Sequence, residues 1–156
     1  MAAEKPWYEA VVMPALLRHA RTVYGTAMHQ ALTEAGCDDV PKNGLYIIGG
    51  LSLGAGAVPQ GQLARELGIS KQAVGQLVDT LVLRGYLERA VDADDRRKLS
   101  VTLTERGRLA ASVQSAARAR IDAELLERVG AGPIAQTRRT LAALIEAGRT
   151  TQMDEH

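Results

Sequence analysis

The chain has 156 residues, a formal net charge of +1 and a hydrophobic content of 46%, which suits one domain with extensions and a real core. Aromatic residues make up 3% and Phe is absent, so we expect an aliphatic, alanine-rich core, which favours helices. The small net charge excludes a generally basic DNA-binding protein, and any DNA affinity must come from where the charges are placed. The single Cys excludes an internal disulfide and suits a cytoplasmic protein.

The N-terminal region is predicted to be helical. Apolar residues recur at helical spacing from about Pro14 to Ala35. A proline inside a helix removes a hydrogen bond, so a break or kink is expected at Pro14, with Pro6 to Val12 as a short separate turn. The N-terminus reaches Trp7 without a long apolar stretch, so neither a signal peptide nor a membrane partner is expected. The expected location is a bacterial-type cytoplasm, with nucleoid association when DNA is bound.

The single cysteine, Cys37, follows Gly36 at the end of this helix and stands beside Asp38 and Asp39. Neighbouring carboxylates disfavour the thiolate that reactive cysteines need. A redox-sensing regulator acting through Cys37 is therefore kept only as an alternative.

A helix over Lys42 to Leu53 is predicted next, followed by a connector over residues 54–57. The connector has two glycines and no bulky side chain. A hinge and a plain connector both fit this composition, and the plain connector is preferred. It leads into residues 59–108, the most informative part of the sequence.

This stretch opens with the pattern of a helix-turn-helix. Gln60 to Leu67 carries apolar residues on one helical face, Gly68 and Ile69 form a turn, and Ser70 is a good N-cap. From Lys71 to Arg84 the apolar residues follow the i, i+3, i+4, i+7 spacing of an amphipathic helix. A helix, a short glycine-containing turn and a second helix form the helix-turn-helix pattern.

The second of these helices has an unusual outward stripe, which consists of Lys71, Gln72, Gly75, Gln76 and Asp79. Gln side chains donate to and accept from adenine in the major groove, and Gly75 lets the backbone approach closely. Glycine inside a helix costs roughly 1 kcal/mol relative to alanine, so a packing or binding reason is expected. A plain surface helix is the alternative.

A β-hairpin is predicted after the second helix. Tyr86 to Val91 and Lys98 to Leu103 have strand patterns, and Asp92 to Asp95 form a turn. Arg96 and Arg97, with Lys98, give the hairpin a basic tip that can reach phosphates or enter a minor groove. A solvated loop is the alternative, but the position after a helix-turn-helix favours a DNA-binding wing.

The C-terminal third is again helical in pattern, with apolar stripes over Glu105 to Val129 and Pro133 to Ala147. The polar tail from Arg149 to His156 lacks a packing stripe and is expected to fray. The stripes at the two chain ends can close a bundle within one chain or pair two subunits.

Together, these motifs resemble the MarR-type winged helix-turn-helix transcriptional regulators. The resemblance rests on LARELGISKQAVGQLVDTLVLRGYLER, on D-x-x-DRR (Asp92, Asp95, Arg96, Arg97) and on LT-x-x-G (Leu103, Thr104, Gly107). These motifs cover about 50 residues, and the flanking helices extend the resemblance over most of the chain. The implied fold is mainly α with a small β-hairpin wing: a winged helix-turn-helix plus a helical dimerisation region.

The resemblance also implies a domain organisation. Residues 1–36 would be an N-terminal helical dimerisation segment, and residues 37–108 a winged helix-turn-helix DNA-binding domain. Residues 109–150 would supply the C-terminal helices of the dimerisation region, and residues 151–156 a tail. The implied function is that of a sequence-specific, ligand-responsive repressor that binds a pseudo-palindromic operator on double-stranded DNA as a homodimer.

The expected DNA-binding residues lie on both helices and on the wing: Gln60, Ser70, Lys71, Gln72, Gly75, Gln76, Arg89, Asp95, Arg96, Arg97 and Lys98. In the family, the Arg matching Arg97 enters the minor groove and the Asp matching Asp95 orients it. Arg96 is expected to contact phosphate. The position of Gln76 often holds Arg in the family, so a different base preference is expected here.

An effector pocket is implied where the first helix, the Lys42 helix and the long fifth helix converge. Its expected lining is Arg18, His19, Tyr24 and Tyr46, suited to a small aromatic or phenolic effector. The sequence has no H-E-x-x-H, P-loop or G-x-S-x-G motif, and its His residues are scattered, so we expect no enzyme activity, catalytic residue, metal or cofactor. A winged helix that binds a protein instead of DNA is the competing class, against which Gln72, Gln76 and the Asp95–Arg97 arrangement argue.

Overall fold

The computed structural model describes residues 5–54, 58–91, 94–97 and 99–154. In chain order, the elements are a short 3-10 helix at Trp7–Ala10, α1 at Met13–Glu34, α2 at Gly44–Leu53, β1 at Val58–Pro59, α3 at Gln60–Leu67, α4 at Lys71–Leu83, β2 at Leu87–Val91, β3 at Leu99–Leu103, α5 at Glu105–Val129 and α6 at Ala131–Asp154. The predicted fold class, mainly helical with a small β wing, is confirmed. None of the described helices combines the length and the apolar character that crossing a membrane requires.

Helix α1 begins where the sequence predicted a break. Val12 is the extended N-cap, and Pro14 falls in the first turn, where its missing N–H removes no helical hydrogen bond. The predicted interruption is therefore the start of the helix itself. The short 3-10 helix lies within the segment that was predicted to be a separate turn.

Helix α4 ends at a glycine that directs the chain into the core. Gly85 has a φ of 78°, and its N–H donates to the Val82 carbonyl at 3.0 Å. The next N–H, of Tyr86, reaches back to the Leu81 carbonyl at 2.9 Å, which completes a Schellman motif. Tyr86 is consequently fully buried.

The sheet has three antiparallel strands in the order β1-β3-β2. Strands β2 and β3 form the predicted hairpin, in a register that pairs Leu87 with Leu103 and Arg89 with Val101. Strand β1 was not predicted: residues 54–57 were taken as a connector and Pro59 as the residue before α3. A two-residue strand is too short for a periodic pattern, and its proline is tolerated because the strand lies at the sheet edge.

The chain divides into two compact units, with the boundary between Arg118 and Ala119 inside α5. The core of the first unit is aliphatic, as the composition predicted, and Tyr86 supplies an aromatic ring. Its fully buried members include Leu32, Leu45, Ile47, Ile48, Val74, Val78, Leu81 and Val101. Helix α5 joins this core through small residues and Gln114, whose Nε2 donates to the Leu45 carbonyl at 2.8 Å.

The second unit consists of the end of α5 and α6, joined at Gly130. Helix α6 is longer than predicted: it runs from Ala131 to Asp154 instead of from Pro133 to Ala147. The expected frayed tail is helical through Asp154 because the segment contains no helix breaker after Gly148 and continues an established helix. Several large apolar side chains of this unit are more than a third exposed: Leu125, Leu126, Val129, Leu144 and Ile145.

Candidate nucleic-acid interface

The helix-turn-helix forms as predicted, and Ser70 is its central cap. The Ser70 hydroxyl oxygen accepts the Ala73 N–H at 3.1 Å, which satisfies one of the free donors at the start of α4. The apolar side of α4 is buried through Val74, Val78 and Leu81. The opposite side of α4 is therefore fixed toward the surface.

The predicted outward stripe of α4 lies on that exposed side. Lys71, Gln72, Gln76 and Asp79 are exposed, and Gly75 is half-buried between them. The structure also brings Gln60, at the start of α3, to this surface: its Nε2 lies 3.5 Å from where a Cβ on Gly75 would be. That separation is an ordinary van der Waals contact, so packing alone does not require glycine at position 75.

The wing tip presents two arginines on a turn held by a carboxylate. Arg96 and Arg97 are exposed, and Asp95 is half-buried. An Asp95 Oδ1 accepts the backbone N–H of Arg97 at 3.0 Å, a local bond that stabilises the turn. Asp95 therefore fixes the backbone from which the Arg97 side chain extends. Asp92 of the motif and Lys98, a predicted DNA contact, lie outside the described residues.

The base of the wing is tied to α4 by an ion pair. Arg89 Nη2 on β2 lies 2.5 Å from the Oδ1 of Asp79, the last residue of the outward stripe. The Arg89 side chain is 29% exposed and that of Asp79 is 66% exposed. Arg89, a predicted DNA contact, thus has a partner within the chain.

A second group of polar contacts, centred on Asp39, was not found from the sequence. Its carboxylate accepts hydrogen bonds from the Tyr86 hydroxyl and, at 3.1 Å, from Arg106 Nη2. Its backbone carbonyl accepts one from Arg84 Nη1, and the Arg106 guanidinium lies 4.3 Å from the centre of the Tyr86 ring. The group joins the segment after α1 to the end of α4 and the start of α5.

The protonation states in this group follow from its contacts. The hydrogen bond from Tyr86, helped by Arg106 and Arg84, lowers the pKa of Asp39 despite the opposing effect of burial. Burial, reinforced by the hydrogen bond to Asp39, raises the pKa of Tyr86 well above its ordinary value. At neutral pH an ionised Asp39 therefore accepts from a neutral phenol. Cys37 is buried beside this phenol, with 2% of its surface exposed.

The LT-x-x-G motif forms the junction between the wing and α5. The Thr104 hydroxyl donates to the Gly85 carbonyl at 2.5 Å and accepts the Gly107 N–H at 3.1 Å, so Thr104 caps α5. A Cβ on Gly107 would lie closer than 3.0 Å to the Tyr86 carbonyl oxygen, a separation that Cβ atoms essentially never show. The motif glycine is thus required by close packing.

A concave pocket of about 470 Å³ lies between α1 and the start of α2. Of the four predicted effector residues, Arg18 and Tyr46 line it, whereas His19 is exposed elsewhere on α1 and Tyr24 packs against the core. The pocket also has lining residues that were not predicted: Arg21, Thr22, Gly25, Thr26, His29, Gln30, Lys42, Asn43 and Leu45. The Arg21 guanidinium lies 4.3 Å from the centre of the Tyr46 ring. Arg21 stands three residues from Arg18 on α1, so a helical wheel could have suggested it, whereas Lys42 lies in the turn before α2.

The fold and the wing together define a winged helix-turn-helix protein. The model of the MarR family matches residues 40–98, which include α2, the helix-turn-helix and most of the wing. No curated protein matches the sequence. The helix-turn-helix, the wing and the match over residues 40–98 together give this chain the fold of the MarR-type winged helix-turn-helix proteins.

Solved structures share this fold over nearly their whole length. A MarR transcriptional regulator from Methanosarcina mazei Go1 superposes with a TM-score of 0.75 at 18% identity, covering 89% of this chain and 97% of that chain. MepR of S. aureus, in complex with DNA, superposes with a TM-score of 0.72 at 18% identity, covering 88% of this chain and 98% of that chain. FabT of Streptococcus pneumoniae, also in complex with DNA, superposes with a TM-score of 0.71 at 18% identity, covering 90% of this chain and 99% of that chain.

Proposed function

We propose that this chain is a sequence-specific DNA-binding transcriptional regulator. The observation that carries the proposal is the exposed stripe of Lys71, Gln72 and Gln76 on α4, together with a wing tip that presents Arg96 and Arg97. Amide side chains suit base edges in the major groove, and the arginines suit phosphates or a minor groove. MepR and FabT, which share the fold, have been solved with DNA, and this supports the proposal.

We further propose that the chain acts as a homodimer on a pseudo-palindromic operator. Exposed apolar side chains occur at both chain ends, including Trp7 at 73% exposure and Ile145 at 56%. Such surfaces usually mark interfaces. A two-fold dimer would place two copies of α4 about 34–36 Å apart, one DNA turn. Two copies would also double the basic contacts of a chain whose own net charge is +1.

Selection from a pool of random duplexes, followed by sedimentation of the protein with the selected duplex, tests both proposals. We expect enrichment of an inverted repeat and a complex of two chains per duplex. A monomer that binds the duplex with full affinity would contradict the dimer. A pool without enrichment would contradict sequence-specific binding and favour a winged helix that binds another protein.

Substitution of the stripe is expected to separate base preference from general affinity. Gln76→Ala should relax the preference at one position in each half-site, because a bidentate Gln contributes roughly 1–3 kcal/mol of discrimination. Lys71→Ala should instead weaken binding to all sequences alike through a lost phosphate contact. Selection with each variant measures the difference. An unchanged preference in Gln76→Ala would remove Gln76 from base recognition.

We also propose that the pocket between α1 and α2 takes a small aromatic anion that releases the protein from DNA, as in a ligand-responsive repressor. Arg18, Arg21 and Lys42 supply positive charge around the Tyr46 ring. A carboxylate or phenolate can pair with these cations while its ring packs against Tyr46.

Titration with benzoate and its hydroxy derivatives tests this pocket. We expect a higher melting temperature and weaker DNA binding for the parent chain, and loss of both effects in Arg21→Ala. Arg138→Ala, which removes an exposed arginine of α6, is the matched control and should respond like the parent. Equal responses in the two variants would rule out the pocket as the binding site of these anions.

A further inference from the structure

We propose that Asp79 and Arg89 act together as positioning residues that hold the wing at a fixed angle to α4. On this view Arg89 supports DNA binding through Asp79 and not by contacting phosphate. The inference rests on the proposed DNA-binding function. It explains how the exposed stripe of α4 and the wing tip are held in fixed positions relative to each other.

The strand register places Arg89 on the inner face of the hairpin. Arg89 pairs with Val101, which is fully buried, and paired residues of an antiparallel sheet point to the same face. Its neighbours Glu88 and Ala90 point to the other face and are exposed. Arg89 is thus directed toward the helices, where its guanidinium meets Asp79 at 2.5 Å.

This ion pair stands at the point where the wing leaves the core. On the inner face of β2, Leu87 is buried, Arg89 is the next residue along, and Val91 beyond it is exposed. Arg97 lies in the turn four residues from Val101, which is at most about 14 Å at 3.4 Å per residue. A tilt of roughly 10° at Arg89 would therefore displace Arg97 by up to about 2.4 Å, nearly the length of a hydrogen bond.

The charge of Asp79 allows a direct test, because the two possible roles of Asp79 predict opposite effects of its removal on DNA binding. Its carboxylate is 66% exposed on the surface that faces DNA, where a negative charge repels phosphates. If Asp79 were only a surface charge, Asp79→Ala would tighten binding. If Asp79 holds the wing through Arg89, the same substitution weakens binding even though it removes a negative charge.

The first experiment uses the duplex selected by the parent chain. Partly exposed ion pairs contribute weakly, so Asp79→Ala and Arg89→Ala should each raise the Kd by about three- to fivefold. The double variant should be no weaker than either single variant, and all three should share one salt slope, because each of them loses the same wing contact. Arg97→Ala should reduce DNA affinity less in the Asp79→Ala chain than in the parent chain, because the wing of the Asp79→Ala chain is already misplaced. Glu88→Ala removes the same charge from the outer face and is the matched control, with binding unchanged or tighter.

Two results would overturn the proposal. One is unchanged or tighter binding by Asp79→Ala. The other is a salt slope for Arg89→Ala that falls about one below that of Asp79→Ala, which would make Arg89 a phosphate contact. Asp79→Asn, which keeps the shape and removes the charge, replaces Asp79→Ala if the latter does not fold.

Hydrogen exchange in the free protein provides a measurement that does not depend on DNA. Asp79→Ala should accelerate exchange of the Ala90 amide several-fold and leave the amides of α3 unchanged, whereas Glu88→Ala should match the parent. Unchanged exchange in β2 would count against the positioning role. If the parent selects no duplex, the proposed function fails, and this measurement still decides whether Asp79 and Arg89 hold the wing.

Discussion

Gly107→Ala is expected to give the largest loss of stability in the described part of the chain. The added methyl group would press on the Tyr86 carbonyl oxygen at the start of α5. Backbone cannot give way as a flexible side chain does, and forcing an extra methyl group into a packed interior costs about 1–3 kcal/mol or more. Thermal and urea unfolding would measure the loss as a lower melting temperature and a lower midpoint.

Gly148→Ala is the matched control for this substitution. Gly148 also lies in a helix, α6, but a Cβ there meets nothing within 4 Å. Alanine should therefore stabilise by up to about 1 kcal/mol through its higher helix propensity. Equal melting temperatures for Gly107→Ala and the parent chain would mean that α5 can shift away from Tyr86 without cost.

Arg97→Ala is expected to cause the largest loss of DNA affinity, about tenfold or more if one charge-assisted contact is lost. A minor-groove arginine acts partly through local potential, so the salt slope should fall by about one or less. Asp95→Ala should also weaken binding, because Asp95 holds the backbone N–H of Arg97 at 3.0 Å. Fluorescence anisotropy over a series of salt concentrations would measure both effects.

The neighbouring arginine offers a comparison within the same turn. Arg96→Ala should lower the slope by about 0.9, the value for one lost phosphate contact, and should leave base preference unchanged. Tighter binding by Asp95→Ala would show that Asp95 acts only as a repulsive charge, and its role in holding Arg97 would be wrong.

The elements that the sequence predicted well are those with a local, periodic signal. Apolar spacing identified α3 and α4 to within one residue at their ends, and Ser70 marked the start of α4 because capping depends on residues three apart. Strand β3 followed from alternation, and β2 was predicted as a strand-like segment before a turn. The short β1 gave no signal, since two residues cannot show a period.

Contacts between distant segments could not be predicted in the same way. Asp39 meets Tyr86 and Arg106, which lie 47 and 67 residues further along the chain, and no local pattern relates them. The Asp79–Arg89 pair is only ten residues apart, but it depends on which face of β2 points inward. The ion pair could therefore be predicted only from the register of β2 against β3. The requirement for Gly107 likewise depends on a carbonyl from another element.

Tyr86 connects several elements through different parts of one residue. Its N–H closes the end of α4, its carbonyl packs on Gly107, its ring lies under Arg106 and its hydroxyl binds Asp39. A mutation that reoriented α4 would disturb all four contacts at once. Under the proposed function, new base preferences should therefore evolve through exchange of exposed side chains such as Gln72 and Gln76, while the orientation of α4 stays the same.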